Sequence, residues 1–364
     1  MHNYCIILAG GAGPQFWPLS RQEKPKQFQP VVPGGVSFLQ QTYCRARAIF
    51  PEERIFIVSL ARFRGILFEQ FPDIAEDHLL LEPFGRGTAT SIAFAACPLL
   101  SRDPEAVMVV APCDHIIEDG DGCANAIRLA MDCATGTGAL LTLGIVPSSP
   151  NTGFGYVQVD GGREAYSEGK PVKAKTFTEK PSAELAKAFV DSGEFLWNSG
   201  IFVWKASAIL KEMEECCPSI TRLWAGWEKA LGGVNENRFV EKVYSDSPNI
   251  SIDYAVLEKS SRLFVLPSNF GWSDVGSFSS YYEYTPDKDG DGNLTKGVNG
   301  KLFRKDVSGS IICSFSPRKL VALRGLENFL VIDTDDVLLV SPRNEKILQD
   351  TVRELNTPEF EEYL

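Results

Sequence analysis

A mostly parallel, doubly wound α/β sheet is the fold this sequence predicts, and three observations predict it. Short, near-continuously apolar runs recur through residues 1–145. Stretches of helical length and pattern separate them. Glycine-rich or polar residues follow directly on several of the runs. Strands buried on both faces read as unbroken apolar runs, and strand–helix–strand repetition is how parallel sheets are built.

The first run, Tyr4–Ala9, opens into Gly10-Gly11-Ala12-Gly13. Phe38–Phe50 then reads as a helix and Ile55–Ser59 as a second strand. Arg62–Phe71 is helical in pattern, Leu79–Glu82 is a third strand, and Thr88–Leu100 is a helix. Val107–Ala111, the helical stretch Gly122–Ala134 and Leu140–Gly144 close the series. Ligands of such sheets lie beyond the carboxyl ends of the strands. Gly10–Pro18, Glu82–Thr88 and Pro112–His115 are therefore the segments expected to carry function.

From about residue 150 the texture changes. Asn151–Tyr156 is a glycine-rich turn and Val157–Thr178 reads as β-rich. Pro181 opens a helix through Val190, and Trp197–Trp204 is a short apolar segment. Helices are expected near Ala206–Cys216, Thr221–Leu231 and Ser277–Tyr284. Pro286–Gly300 is rich in Gly, Asp and Asn and marks a boundary. The expected domains are 1–285, an α/β domain, and 286–364, a small β-rich domain. The latter holds the runs Ser310–Ser314, Leu320–Leu323, Phe329–Ile332 and Val337–Val340 and a last helix, Glu345–Leu355. No sequence repeat is strong enough to assign a solenoid.

Composition narrows the function classes. The 364 residues carry 36 basic and 47 acidic side chains, a net charge of −11. That balance argues against nucleic acid or an anionic membrane as a partner. No apolar run reaches the roughly 18 residues of a membrane span, and Met1–Tyr4 lacks the basic flank of a secretory signal. Nine cysteines with no C-x-x-C pair, and only three histidines, support neither a zinc ribbon nor a multi-histidine metal site. Most of the cysteines sit in apolar surroundings, and a reducing cytoplasm is the expected compartment.

Several residues carry candidate chemistry, each with a plainer alternative. Glycines after a first buried strand let the backbone approach a phosphate; a tight strand-to-loop turn is the other reading. Phe16 stands where a dinucleotide fingerprint has its third glycine, and no Gly-Lys-Ser/Thr follows as in a P-loop. Lys24 and Lys26 supply cations close to that loop, or form a solvated surface pair. Asp114, directly after a buried strand, suits Mg²⁺, which prefers oxygen ligands; it equally suits a turn or helix cap. His115 reads as a packed or capping histidine. Asp274 is a second candidate carboxylate. Glu179-Lys180 pairs a hydroxyl acceptor with a phosphate cation, or is a surface charge pair before a proline-initiated helix. Asn198 beside Trp197 offers an amide next to an aromatic face, or a hairpin turn with a buried tryptophan. Asp287–Gly292 begins like an EF-hand loop, but its twelfth position is Val298 in place of glutamate, so it reads as a polar linker.

Together these segments resemble the sugar nucleotidyltransferases, and within them the mannose-1-phosphate guanylyltransferase (GDP-mannose pyrophosphorylase) family. The carrying motifs begin with Gly10–Gly13 followed by Phe16-Trp17-Pro18-Leu19-Ser20-Arg21, then Pro25-Lys26-Gln27-Phe28 and Leu81-Glu82-Pro83. Pro112-Cys113-Asp114-His115, Thr152-Gly153-Phe154-Gly155-Tyr156, Glu179-Lys180-Pro181 and Trp197–Phe202 follow. Ser251–Ala255 and Trp272–Gly276 complete the series, in the family's order over residues 4–280.

The resemblance implies a nucleotide-diphospho-sugar transferase (Rossmann-like) fold with a C-terminal domain similar to a short left-handed β-helix. It implies transfer of GMP from GTP to α-D-mannose 1-phosphate, giving GDP-mannose and pyrophosphate, by in-line attack at the α-phosphorus with Mg²⁺. By the same resemblance, Lys26, Arg21, Asp114 and Lys180 are the catalytic residues. Ala9, Gly10, Gly11, Gly13, Glu82, Arg86, Thr88 and Pro112 bind the nucleotide. Gly155, Glu179, Asn198 and Asp253 bind the sugar phosphate, and Asp114 and Asp274 hold the metal. A cytoplasmic homodimer is expected, acting on no nucleic acid or membrane. Many relatives carry a fused cupin-type isomerase domain, for which this chain is too short and too poor in histidine.

Two departures stand out. Relatives usually read Ser/Thr-Arg where this chain has Pro14-Gln15, so a guanidinium fork and a backbone donor are missing from the loop. Relatives usually read Arg-Asn-Thr-Ala-Pro where this chain has Arg86-Gly87-Thr88-Ala89-Thr90. Both departures fall where the nucleotide is expected. They leave two readings: a working transferase with an altered triphosphate grip, or a low-activity paralogue that binds sugar nucleotides as a regulatory partner. A third reading, a glycosyltransferase, is disfavoured because His115-Ile116 follows Asp114 where an Asp-x-Asp metal motif would be.

Overall fold

The computed structural model describes residues 2–11, 16–30, 35–166, 169–298, 300–316 and 318–364. The chain divides into two compact units. The first holds residues 1–10, 41–113 and 117–272; the second holds 11–40, 114–116 and 273–364. Gly13, Pro14 and Gln15, singled out from the sequence, lie outside the described residues.

In chain order the early elements are β1 (Asn3–Leu8), α1 (Phe38–Arg47), β2 (Ile55–Leu60), α2 (Arg64–Gln70) and β3 (Leu79–Glu82). Next come α3 (Thr88–Arg102), β4 (Val107–Pro112), β5 (His115–Ile117), α4 (Gly120–Thr137) and β6 (Leu140–Ile145). Each expected strand and helix of this stretch is present, with ends moved by a few residues. Local chemistry sets some of those ends. Asp119 caps α4 by accepting from the Gly122 amide, and Gly138 ends the helix at φ 66°.

The first unit continues with β7 (Gly155–Val159), α5 (Gly162–Tyr166), β8 (Val172–Glu179), α6 (Ala183–Ser192) and β9 (Phe195–Lys205). It then runs through α7 (Ala206–Cys216), α8 (Pro218–Thr221), α9 (Trp227–Ala230), α10 (Glu236–Asp246), a π-helical turn at Asp253–Leu257 and β10 (Leu263–Ser268). A single helix expected over Thr221–Leu231 is two short ones, with Gly226 between them at φ 85°.

One nine-stranded sheet, in the order β3-β2-β1-β4-β9-β6-β10-β8-β7, organises the unit. β3, β2, β1 and β4 pair in parallel, as do β6 and β10. β9 is antiparallel to both β4 and β6. The expected parallel pairing holds for β3-β2-β1-β4 and for β6-β10, but β8 is antiparallel to β10 and β7, and β7 to β9, so two reversed strands, β9 and β8, make the sheet mixed. The core packs Ile6, Phe56 and Val110 of the sheet with α3, whose buried Ala89, Ala93 and Ala96 allow close approach.

The second unit contains α11 (Phe278–Tyr284) after β11 (Trp272–Asp274), whose last two residues belong to it. It then holds β12 (Leu294–Lys296), β13 (Lys301–Ser308), β14 (Ile311–Ser314), β15 (Leu320–Glu327), β16 (Phe329–Asp333), β17 (Leu338–Pro342) and α12 (Glu345–Leu355). β12, β14 and β16 pair in parallel with β17 antiparallel at the edge, and β13 pairs in parallel with β15. Leu294 pairs with Ile311, which pairs with Leu330. The chain therefore winds in coils, with successive register steps from 294 to 311 and from 311 to 330.

The stretch read as a linker is ordered at its centre. Lys288 bridges Leu294, and Asp289 Oδ1 accepts from the amides of Asp291 and Asn293. The unit's core joins Phe16, Trp17 and Phe38 to Phe278, Leu294, Ile311, Leu330 and Leu348. All nine cysteines are free, and six of them are buried.

Candidate functional site

Three constellations hold the residues singled out from the sequence, two in the first unit and one in the second. The first lies at the carboxyl ends of parallel strands. Leu8 pairs with Val58 on one side and with Pro112 on the other, and Glu82 ends β3 opposite Leu60. The Ala9 amide donates to Val58 O at 2.8 Å, and the Ala9 carbonyl accepts from Ser59 Oγ at 2.8 Å. Ala9 is thereby fixed by the sheet. A Cβ on Gly10 would stand 3.0 Å from Glu82 Oε2.

Glu82 is 3% exposed. Its Oε1 accepts from Ser91 Oγ (2.5 Å) and from the Tyr244 hydroxyl (2.8 Å). Burial pushes the Glu82 carboxyl above the usual carboxylate range, against the pull of these two hydrogen bonds. Arg86 Nε donates to Tyr244 O (2.8 Å), and its guanidinium lies over the Phe84 ring. Thr88 opens α3, and its Oγ1 accepts from the Ile252 amide (2.9 Å). Gly87 sits at φ 75°, ψ 165°, a region essentially confined to glycine. A Cβ there would lie 2.3 Å from Ile250 O. The glycine at position 87 thus has a local backbone reason. Ser91 and Tyr244 were not foreseen: Tyr244 comes from a helix 162 residues away in sequence, and no local signal links the two.

The second constellation brings together Gly155, Glu179, Lys180, Asn198 and Asp253. Gly155 pairs with Glu179 across β7 and β8. A Cβ on Gly155 would meet Glu179 Oε2 at 2.5 Å and Asn198 Cβ at 3.3 Å, so only glycine fits. Asn198 Oδ1 accepts from Thr142 Oγ1 (2.7 Å) and the Gly200 amide (3.2 Å), while its Nδ2 donates to Asp253 Oδ1 (3.1 Å). These partners fix the orientation of the amide. Lys180 Nζ lies 3.5 Å from Glu179 Oε1. Lys180 is held at φ 48°, with its amide donating to Phe154 O. A non-glycine residue in the left-handed region is uncommon and clusters at functional sites. Burial first, and the Asp253 charge second, raise Glu179 to about 7, against the Lys180 ammonium. Burial likewise raises Asp253, opposed by its hydrogen bonds and Lys180. Thr142 was not anticipated; it looks like any strand residue until Asn198 is placed beside it.

The third constellation is in the second unit. Lys26 Nζ lies 2.7 Å from Asp114 Oδ2 and donates to Val275 O (3.4 Å), the residue after Asp274. The Lys26 amide donates to Ser20 Oγ (3.0 Å). Gly11 O accepts from Gln27 Nε2 (2.8 Å). Burial opposes the charge on Asp114, but the Lys26 ammonium and His115 hold its carboxyl below the usual range. His115 Nε2 is 3.9 Å from Asp114 Oδ1. Asp274 ends β11, which pairs with β5, and β5 begins directly after Asp114. Arg21 does not join Lys26 and Asp114: its guanidinium binds Pro18 O, Tyr363 O and Asp336. Among the described residues no three His, Cys, Asp or Glu side chains form a ready metal cage.

The sheet, its strand-end residues and its glycine turns are those of a nucleotidyltransferase, and the family model described as nucleotidyl transferase matches residues 4–289. The mannose-1-phosphate guanylyltransferase of Escherichia coli K12 is 35% identical over 94% of this chain and 70% of its own length. The xanthan biosynthesis protein XanB of Xanthomonas campestris is 36% identical over 93% of this chain and 70% of its own. A crystal structure from Thermus thermophilus, described as a mannose-1-phosphate geranyltransferase, superposes with a TM-score of 0.85 at 28% identity. It covers 98% of this chain and all (100%) of that one. The chain belongs to the mannose-1-phosphate guanylyltransferase family. No helix among the described residues is long and apolar enough to cross a membrane.

Proposed function

We propose that this chain transfers GMP from GTP to α-D-mannose 1-phosphate, releasing pyrophosphate and GDP-mannose. The observation that carries the reading furthest is the cluster of Glu179, Lys180, Asn198 and Asp253 around Gly155. It offers carboxylate and amide groups for sugar hydroxyls and an ammonium, 59% exposed, for the sugar phosphate. Gly10 lets the nucleotide approach the backbone beside Glu82, Arg86 and Thr88. The sugar phosphate attacks the α-phosphorus in line, and no protein nucleophile is required. Lys26 contributes positive charge toward the phosphate oxygens as charge shifts to the pyrophosphate leaving group.

Asp114 and Asp274 are the residues that would hold Mg²⁺. The donor set fits: both are carboxylates, and Asp114 already attracts a cation, the Lys26 ammonium. A magnesium site of one or two carboxylates takes its other ligands from water and substrate phosphates. When bound, the ion supplies Lewis-acid neutralisation of phosphate charge.

Titration calorimetry tests the sugar cluster. Glu179→Gln should weaken GDP-mannose by about tenfold while leaving GDP unchanged, because one charged hydrogen bond to a sugar hydroxyl is lost. Equal affinity of the variant for GDP-mannose would remove Glu179 from the sugar site.

The second reading, an attenuated paralogue, is favoured by Pro14-Gln15. If the missing arginine limits the rate, Gln15→Arg should raise kcat/KM by about tenfold to a hundredfold; an unchanged rate defeats that explanation. The remaining elements of the reading are structural. The parallel coils of the second unit fit a short left-handed β-helix, with residues 286–364 as its domain. A homodimer is the working form, and nine free cysteines support a reducing, cytoplasmic location.

A further inference from the structure

Arg21 has partners that no phosphate role explains. Its Nε donates to Pro18 O at 2.6 Å, its Nη1 donates to Tyr363 O at 2.6 Å, and its Nη2 lies 2.8 Å from Asp336 Oδ1. The same Tyr363 carbonyl accepts from Trp17 Nε1 at 2.7 Å, and Leu364 O accepts from the Gln22 amide at 2.9 Å. Thr334 Oγ1 donates to Asp336 Oδ1 at 2.9 Å and so orients the carboxylate. The guanidinium thus has three fixed directions, and its side chain is 18% exposed. From Arg21 the bonds run on to Lys26. The Leu19 and Ser20 amides donate to Phe16 O, the Arg21 amide donates to Lys24 O, and Ser20 Oγ accepts from the Lys26 amide. All of these residues belong to the second unit.

We propose that Arg21 is a positioning residue: it clamps the Trp17–Lys26 segment to Asp336 and the Tyr363–Leu364 strap, and so fixes where the Lys26 ammonium is presented. A lysine is a point charge on a flexible four-carbon stem, and only a fixed backbone beneath it limits where the charge can go. A planar, permanently charged fork suits a clamp with one carboxylate and two carbonyls. The kinetic consequence rests on the nucleotidyl-transfer reading; the clamp itself does not.

Arg21→Lys keeps the charge but cannot hold three directions at once. Hydrogen exchange of the amides in residues 19–28 should quicken by about tenfold or more in this variant, because their local opening is no longer restrained. With GTP and mannose 1-phosphate, kcat should fall about tenfold with the mannose 1-phosphate KM within about twofold. Asp336→Asn, at a half-exposed carboxylate, should move both readouts in the same direction by a smaller factor. It also serves if Arg21→Lys fails to fold. The double variant should be no worse than Arg21→Lys alone, since both break one contact. Unchanged exchange in residues 19–28 would overturn the clamp. So would a raised GTP KM in Arg21→Lys with Asp336→Asn silent, because that pattern marks direct triphosphate contact. If the unaltered chain shows no turnover, faster exchange in Arg21→Lys keeps the clamp and discards the transferase reading.

Discussion

At the scale of single residues, two acidic groups are tuned in opposite directions. Glu179 is raised from 4.5 to about 7, first by burial and then by Asp253. The folded state therefore keeps a proton that the unfolded state releases. Stability should fall as pH rises from 4.5 to about 7 and level off above that. Glu179→Gln should flatten this slope in urea titrations run across the window; a slope that survives the substitution would locate the proton elsewhere. Asp114 is held low by the Lys26 ammonium and His115, despite burial. Asp114→Asn leaves the buried Lys26 ammonium without that charge and should cost about 3 kcal/mol of stability, the usual penalty for breaking such a pair. Lys26→Met combined with Asp114→Asn should regain most of that stability and none of the activity. Chemical denaturation with parallel rate assays separates the two effects. Gly87 makes a third case. Gly87→Asn should destabilise this chain by about 2 kcal/mol or more in chemical denaturation, since the added Cβ meets a backbone carbonyl in a glycine-only region.

At the scale of elements, β1, β2, β4 and β6 were legible because each is a largely apolar run buried along most of its length, and β3, at the sheet edge with Leu80 and Leu81 half-buried, because its three leucines are consecutive. β9 shows where that logic stops. Phe195–Lys205 is almost wholly buried, and the sequence marks Trp197–Trp204 within it as a short apolar segment. Composition carries no direction, however, and only the pairing with β4 and β6 reveals that the strand runs backwards. Helix α10 escaped for another reason. Its buried residues Val240, Val243 and Tyr244 are few and set among charges. Its importance lies in one hydroxyl, that of Tyr244, which reaches Glu82. Tyr244→Phe should cost about 1–3 kcal/mol, measured by chemical denaturation, because a buried carboxyl loses a donor. A neutral effect would mean that Ser91 alone satisfies Glu82. The coils of the second unit left no visible repeat because equivalent positions, such as Lys296, Cys313 and Ile332, share little beyond a place in a strand.

At the scale of the whole molecule, the units do not divide where composition changes. The sequence suggests a boundary at the polar stretch from Pro286. The second unit, however, also takes in residues 11–40 and 114–116. The reason is physical: Phe16 and Trp17, directly after the glycine loop, are core residues of the β-rich unit. The segment bearing Lys26 is therefore built on that unit. The cluster of Glu179, Lys180, Asn198 and Asp253 around Gly155 was legible as a set of candidates because its motifs are short and local. The clamp on Arg21 was not, because two of its three partners lie more than 300 positions away (315 to Asp336, 342 to Tyr363).

GMP transfer is read most directly in a single reaction mixture. The chain is supplied with GTP, mannose 1-phosphate and Mg²⁺, and pyrophosphate and GDP-mannose are quantified together. Equal amounts of both should form, and only when both substrates are present. Nucleoside diphosphate appearing without pyrophosphate, or GDP-mannose bound tightly with no turnover, would contradict it.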